Sequence, residues 1–435
     1  MNAKEAIEYI ENYTWSSTRL GLDRTKELLD KMGNPHKGLK FIHVTGSNGK
    51  GSTCAMLDSI LRSAGYKVGL YTSPYIQEFN ERMQVNGQNI DGDKLASLTE
   101  KVKAIAEKME DHPSQFELVT AIAMQYFRDE NCDIVVLEVG MGGALDSTNV
   151  IDAPEVAIIT NIGLEHTEYL GDTLEKISTT KGGIIKEGAS CVCYDGAPEV
   201  TEVIKNICKE KNVPLSCVDF SKLELISETL NGQEIKFEGR SYTLNLLGAH
   251  QLHNCCVVME AVDALRKRGW KISDENVQYG VKNVKWPARL EILGKDPLFL
   301  LDGGHNPQCA EALAASLKNL LGDKKAVFLM GVLADKDYNQ ILDLIIPYAK
   351  EFICLTPFSE RAMSAENLAK LLTAKGMKAT AVPGAGEPSH DVSPAAYKAM
   401  EDGIKMAREA AGEDGAIVCF GSLYLVGHIR GIVLN

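Results

Sequence analysis

From residue 39 to about 220, apolar residues fall in short, nearly unbroken runs separated by stretches of helical spacing. Residues 39–44 read as a strand, 52–64 as the helix after it, and 67–71 as the next strand. Residues 133–138 and 156–160 are almost continuously apolar, as expected of parallel strands buried on both faces. Helical spacing covers about 93–111 and 117–130. The alternation predicts the α/β class: a doubly wound sheet that binds ligands at the carboxyl ends of its strands.

From 223 to 246 polar and apolar residues alternate, with turn signals at Asn231-Gly232 and Glu238-Gly239, which predicts a small antiparallel excursion. Helical patterns return at about 249–268 and 274–283. Trp286-Pro287 and Gly294-Lys295-Asp296-Pro297 break the periodicity, so 291–297 reads as a linker. Strand signals restart near 298–302, 325–330, 351–355, 378–382 and 416–420. The expected division is a doubly wound, nucleotide-binding domain over 1–290 and a smaller, Rossmann-like α/β domain over 298–435.

Composition narrows the function classes. Of the 435 residues, 45% are hydrophobic and 24% charged, ordinary values for a soluble globular protein. No apolar run approaches the ~20 residues of a membrane span, and Met1-Asn2-Ala3-Lys4-Glu5-Ala6 lacks the apolar core of a secretory signal. A net charge of -13 without a Lys/Arg cluster argues against nucleic acid as a partner. Small anions need only a local positive pocket and stay in play. The 11 cysteines include no Cys-x-x-Cys pair and read as reduced, buried thiols of a cytoplasmic protein.

The sharpest chemical signal is Gly46-Ser47-Asn48-Gly49-Lys50-Gly51-Ser52, directly after a strand and opening a helix. Glycines let backbone N–H groups wrap a phosphate, the helix N-terminus adds its positive dipole, and Lys50 supplies a point charge. The common nucleotide-loop pattern has four residues between the glycines preceding the lysine; here only Ser47 and Asn48 intervene. Two strand ends downstream carry Glu138 and His166. A carboxylate buried at a strand end needs a cation, and oxygen-rich coordination beside phosphates suits magnesium.

The short loop resembles the phosphate loop of the Mur ligase superfamily. Its Gly-Lys-Gly-Ser form is similar to the folylpolyglutamate synthase branch, where Thr is usual in place of Ser47. Glu138-Val139-Gly140-Met141-Gly142-Gly143-Ala144-Leu145-Asp146-Ser147-Thr148-Asn149 resembles that branch's signature. The resemblance implies ATP contacts from the loop and magnesium ligation by Ser73, Glu138 and His166. It implies a carbamylated lysine at Lys181, although this chain has Thr-Lys-Gly-Gly where the family has Glu-Lys-Ala-Gly. Gly248-Ala249-His250-Gln251-Leu252-His253-Asn254 is similar to a motif whose Asn contacts adenine, which falls on Asn254. Trp286-Pro287-Ala288-Arg289-Leu290-Glu291 resembles the Gly-Arg-Leu/Met-Glu motif, with Ala288 for the usual Gly and Arg289 as phosphate clamp. Asp302-Gly303-Gly304-His305-Asn306-Pro307 matches Asp-Gly-Ala-His-Asn-Pro, implying a nucleotide contact at Asp302 and a cleft position for His305. Arg19 and Arg24 look like the folate-side segment, and Arg82 follows the Ser73 loop.

The resemblance implies a monomeric ligase that uses ATP and magnesium to join L-glutamate to a folate carboxylate through an acyl phosphate. Lys50, Lys181, Arg289 and His305 are its expected catalytic side chains. The same motifs accommodate an enzyme that also makes dihydrofolate from dihydropteroate. A cell-wall Mur ligase gives no reason for Asp-Ser-Thr-Asn, and a P-loop switch or kinase needs no second domain ending a strand in Asp-Gly-Gly-His-Asn-Pro. A dinucleotide dehydrogenase lacks its Gly-x-Gly-x-x-Gly after the first strand.

Overall fold

Phe41–Thr45 (β1), buried at every residue, is the strand about which the first sheet is organised. In the computed structural model, residues 1–13, 20–386, 388–389 and 393–435 are described. They form two compact units. The first comprises Met1–Glu224, Lys236–Thr243 and His253–Val284; the second comprises Leu225–Ile235, Leu244–Leu252 and Lys285–Asn435.

In the first unit β1 is followed by Val68–Tyr71 (β2), Met83–Val85 (β3), Gln88–Asn89 (β4), Ile134–Glu138 (β5), Val156–Ile159 (β6), Ser190–Cys193 (β7) and Leu215–Cys217 (β8). Their order is β4-β3-β2-β5-β1-β6-β7-β8, parallel except for the β2–β3–β4 meander. β1 lies between β5 and β6, so the chain turns to opposite sides of it, which makes its carboxyl end a topological switch point.

The first eight helices are Ala3–Glu11 (α1), Asp23–Lys31 (α2), Lys50–Ser63 (α3), Gly92–Ala106 (α4), Gln115–Asp129 (α5), Thr167–Leu170 (α6), Leu174–Gly182 (α7) and Pro198–Glu210 (α8). α5 shows how the sequence builds them. Ser114 and Glu117 form a reciprocal capping box at its start. Leu118, Ile122 and Phe127 then bury fully in one cluster with Tyr71, Val135 and Leu137 of the sheet. Each such side chain contributes roughly 1.5–3 kcal/mol. Ile159, Ile184, Ile185, Cys191 and Ile204 form a second cluster.

The predicted excursion is a three-stranded sheet of Leu223–Thr229 (β9), Gly232–Phe237 (β10) and Arg240–Leu244 (β11), each next to its sequence neighbour. Helices Ala249–Lys267 (α9) and Asp274–Asn283 (α10) follow where helical spacing placed them.

The second unit carries Glu291–Lys295 (β12), Leu298–Leu301 (β13), Ala326–Met330 (β14), Ala349–Cys354 (β15), Ala379–Ala381 (β16) and Ala416–Phe420 (β17), in the order β12-β13-β17-β14-β15-β16. Its helices are Pro307–Leu321 (α11), Tyr338–Ile345 (α12), Ala365–Ala374 (α13), Pro394–Ala411 (α14) and Leu423–Leu434 (α15). Here the sequence expectation of a linker over 291–297 is corrected. The segment is an edge strand, β12, antiparallel to β13, and the turn that joins them. Gly294 sits where the register shifts and Pro297 in the turn, two positions at a sheet edge that tolerate such residues.

Candidate active site

In the first unit the phosphate loop links β1 to α3, with Gly49 as the helix N-cap at φ 90°. Its path is held by the loop after β6. Ser47 N donates to Asn161 O (2.7 Å), and Ser47 Oγ accepts from Gly163 N (3.0 Å). Thr160 Oγ1 donates to Asn48 O (2.8 Å). A Cβ on Gly46 would fall 1.8 Å from Thr160 Oγ1, and one on Gly49 2.4 Å from Asn254 Oδ1, so both positions exclude a side chain. Asn254 of α9, 4% exposed, therefore abuts the loop itself. Lys50 lays its ammonium across the carbonyls of Gly46 (2.8 Å) and Ser47 (3.2 Å). Gly51 and Ser52 follow in the first turn of α3.

Glu138 ends β5, side by side with Val44 of β1, and is 4% exposed. Its Oε2 accepts from Ser73 N (3.0 Å), so two of the residues expected at magnesium meet. His166 caps α6 in the loop that cradles Ser47. It is exposed and has a left-handed backbone, φ 47°. That conformation costs a non-glycine residue about 1–2 kcal/mol. Among the described residues no three His, Cys, Asp or Glu side chains form a metal cage. Magnesium does not require one, since it is held by one or two carboxylates together with waters and nucleotide phosphates. A buried carboxylate beside a phosphate loop is that kind of donor.

Lys181, the penultimate residue of α7, is 1% exposed. Its Nζ donates to Gly46 O and to Glu165 Oε1, both at 2.9 Å. Burial pulls its ammonium from the usual 10.5 down to about 8, with Glu165 opposing the fall and Lys50 adding to it. Burial raises the Glu165 carboxyl, but Lys50 and Lys181 outweigh it and hold that group below the ordinary glutamate range. Lys181 thus touches the phosphate loop, and Glu165, the residue before His166, is its partner.

Arg82, at the end of a short helix Phe79–Arg82, stacks its guanidinium over Tyr75 (5.2 Å) and Phe79 (5.4 Å). Arg24 in α2 is 9% exposed and ion-paired to Glu117 (3.0 Å) and Asp111 (3.6 Å). Arg19 lies outside the described residues.

The second unit assembles the other motifs. Asp302 follows β13, and its carboxylate accepts from Leu290 N (2.9 Å) and Gly304 N (2.8 Å). Gly303 N donates to Ala288 O (2.8 Å). Ala288 and Leu290 flank Arg289 with left-handed backbones, φ 56° and 46°. That conformation explains why glycine is usual at the first of these positions. Glu291 accepts from Ala288 N (2.9 Å) and is held by both its oxygens on Arg430, so the strained turn carrying Arg289 is tied down. His305 Nδ1 lies 3.2 Å from Gly303 O, beside the same turn. Arg289, Asp302 and His305 are thereby brought together in this unit.

The Mur ligase middle domain matches residues 44–262, and the Mur ligase glutamate ligase domain matches residues 288–423. The chain is 33% identical to a dihydrofolate synthase/folylpolyglutamate synthase of Bacillus subtilis, over 98% of each. It superposes on the Mycobacterium tuberculosis folylpolyglutamate synthase complexed with ADP and AMPPCP with a TM-score of 0.86 and 28% identity, covering 100% of this chain and 99% of that one. The Escherichia coli protein in complex with DHPP and ADP gives 0.84 and 27%, covering 100% and 98%.

Proposed function

The chain belongs to the folylpolyglutamate synthase/dihydrofolate synthase family of Mur ligases, and from that membership we propose that it extends reduced folates with L-glutamate, using ATP. The observation that carries the reading is the junction in the first unit. There the phosphate loop meets Lys181–Glu165, and Glu138 meets Ser73 one strand away.

Loop N–H groups and Lys50 bind the ATP phosphates. Glu138, Ser73 and His166 would hold magnesium, whose charge neutralises phosphoryl oxygens during transfer. Arg289 orients the γ-phosphoryl group while the folate carboxylate attacks its phosphorus and ADP leaves. The α-amine of L-glutamate then attacks the acyl phosphate, an amide forms and phosphate departs. We assign to His305 the proton that the amine loses, and to Asp302 the setting of Arg289. Asn254 belongs to the nucleotide side. On the folate side we favour Arg82, stacked with an Nε lacking a partner among the described residues, over Arg24, which is ion-paired.

A bifunctional enzyme that also makes dihydrofolate is the second reading. It is favoured by the Bacillus relative named for both activities over 98% of its length. We also read the chain as cytoplasmic, its cysteines being free thiols as a reducing compartment keeps them, and as a monomer, as the family resemblance implies.

The test is ATP turnover with magnesium and L-glutamate on tetrahydrofolate, on dihydropteroate and without acceptor, with products weighed by mass spectrometry. A glutamate increment on tetrahydrofolate is expected. An increment on both acceptors establishes the bifunctional enzyme, and none on either removes the folate assignment.

A further inference from the structure

The side chains of Asp146-Ser147-Thr148-Asn149 are buried, 6%, 4%, 0% and 6% exposed, and they reach different elements. Asp146 Oδ2 accepts from Met141 N (2.9 Å), in the glycine turn just after Glu138, and Oδ1 accepts from Thr148 Oγ1 (2.5 Å). Ser147 Oγ meets Thr120 Oγ1 of α5 (3.1 Å). Thr148 Oγ1 also lies 2.9 Å from His43 Nε2 in β1. Asn149 Nδ2 donates to Ala144 O (3.1 Å) and to Gly183 O (3.2 Å), two residues beyond Lys181. Thr45 Oγ1, at the start of the phosphate loop, donates to Gly142 O in the same glycine turn (2.6 Å).

The protons can be placed. A threonine hydroxyl has one hydrogen, and the Asp146 carboxylate takes it, so Thr148 accepts from His43. His43 is then the neutral tautomer protonated at Nε2; its full burial holds it neutral, its pKa near 3. Asp146, Ser147 and Thr148 thus spend their side chains on protein partners. Together they join β1, the turn after Glu138, and the end of the helix bearing Lys181.

We propose that Thr148 is a positioning residue, backed by His43 and continued by Asn149, that sets Glu138 and Lys181 in register with the phosphate loop. This deepens the ligase reading and rests on it for its kinetic arm. Thr148→Val keeps the shape and removes the hydroxyl, whereas Thr148→Ser keeps the hydroxyl.

The expected result for Thr148→Val is kcat lowered ~10-fold or more, from misplaced reacting groups, with the KM for folate changed less than about 2-fold. By titration calorimetry, ADP affinity measured with magnesium falls ~10-fold, as second-layer losses at metal sites do, while ADP affinity without magnesium holds. Thr148→Ser restores both to within about 3-fold. If Thr148→Val does not fold, Asn149→Ser, which removes the bridge to Gly183, is expected to show the same kcat and calorimetric pattern. The proposal is overturned if the folded variant loses melting temperature alone, or if serine fares no better than valine. Should the unsubstituted protein add no glutamate to any folate, the functional reading fails, and the calorimetric arm still decides the clamp.

Discussion

An ammonium with 1% exposure and two acceptors at 2.9 Å is an unusual state for a lysine, and Lys181 is chemically set apart by it. Burial brings its pKa to about 8, so roughly a tenth of the amine is neutral at pH 7 and most of it at pH 9. Only the neutral amine attacks carbon dioxide, forming an N–C bond, losing one proton and becoming a carbamate anion. With 13C-bicarbonate, a carbamate carbon resonance should therefore grow as pH rises from 7 to 9 and be absent from Lys181→Arg. That variant should also lose about tenfold or more in kcat, as a displaced group behind a metal does. A resonance that persists in Lys181→Arg removes the modification from this residue. Without bicarbonate the stability sign follows too. The folded pKa lies below the unfolded 10.5, so the unfolded chain binds more protons between about 8 and 10.5. Stability relative to Lys181→Met rises with pH across that window.

At the scale of elements, the start of α3 depends on one backbone angle. Gly49 has φ 90° and Asn254 Oδ1 where a Cβ would go; Gly65, past the other end of the same helix, has φ 87° and nothing within 4 Å. Alanine at Gly65 should cost about 1–2 kcal/mol of stability in urea unfolding and leave nucleotide affinity unchanged. Alanine at Gly49 carries the same strain and displaces Asn254, so ADP affinity should fall about tenfold or more, 1.4 kcal/mol per decade. Equal affinities in the two variants would refute a packed role for Asn254. This contrast is invisible in the sequence, where both are glycines beside a helix. Strands such as β5 and β6 were legible because burial on both faces leaves an unbroken apolar run. β12 was misread because edge strands tolerate Gly and Pro, and the β3–β4 hairpin left no period in three and two residues, with Gln88 and Asn89 exposed. The Gly-Lys loop was legible because its chemistry is contiguous. The Thr148–His43 pair, 105 residues apart, was not. A lone imidazole in the apolar run of β1 was its one trace.

The whole molecule bears a formal charge of -13, and the proposed product gains a carboxylate with each glutamate added. In the proposed reaction the reacting end of the acceptor meets the ATP phosphates beside Lys50, but a lengthening tail samples the field of the entire chain. That field extends ~30 Å at 0.01 M salt and ~10 Å at 0.1 M. Repulsion should slow capture of long-tailed acceptors at low salt and fade as salt rises. MgATP is common to all acceptors, so the ratio of kcat/KM for tetraglutamate over monoglutamate folate isolates the tail. That ratio should rise about threefold between 0.01 and 0.1 M salt, a modest instance of electrostatic steering with reversed sign. A ratio that falls would mean that a local track of positive side chains, not the net charge, governs the tail. The arginines and lysines lining its path would then be the ones to substitute.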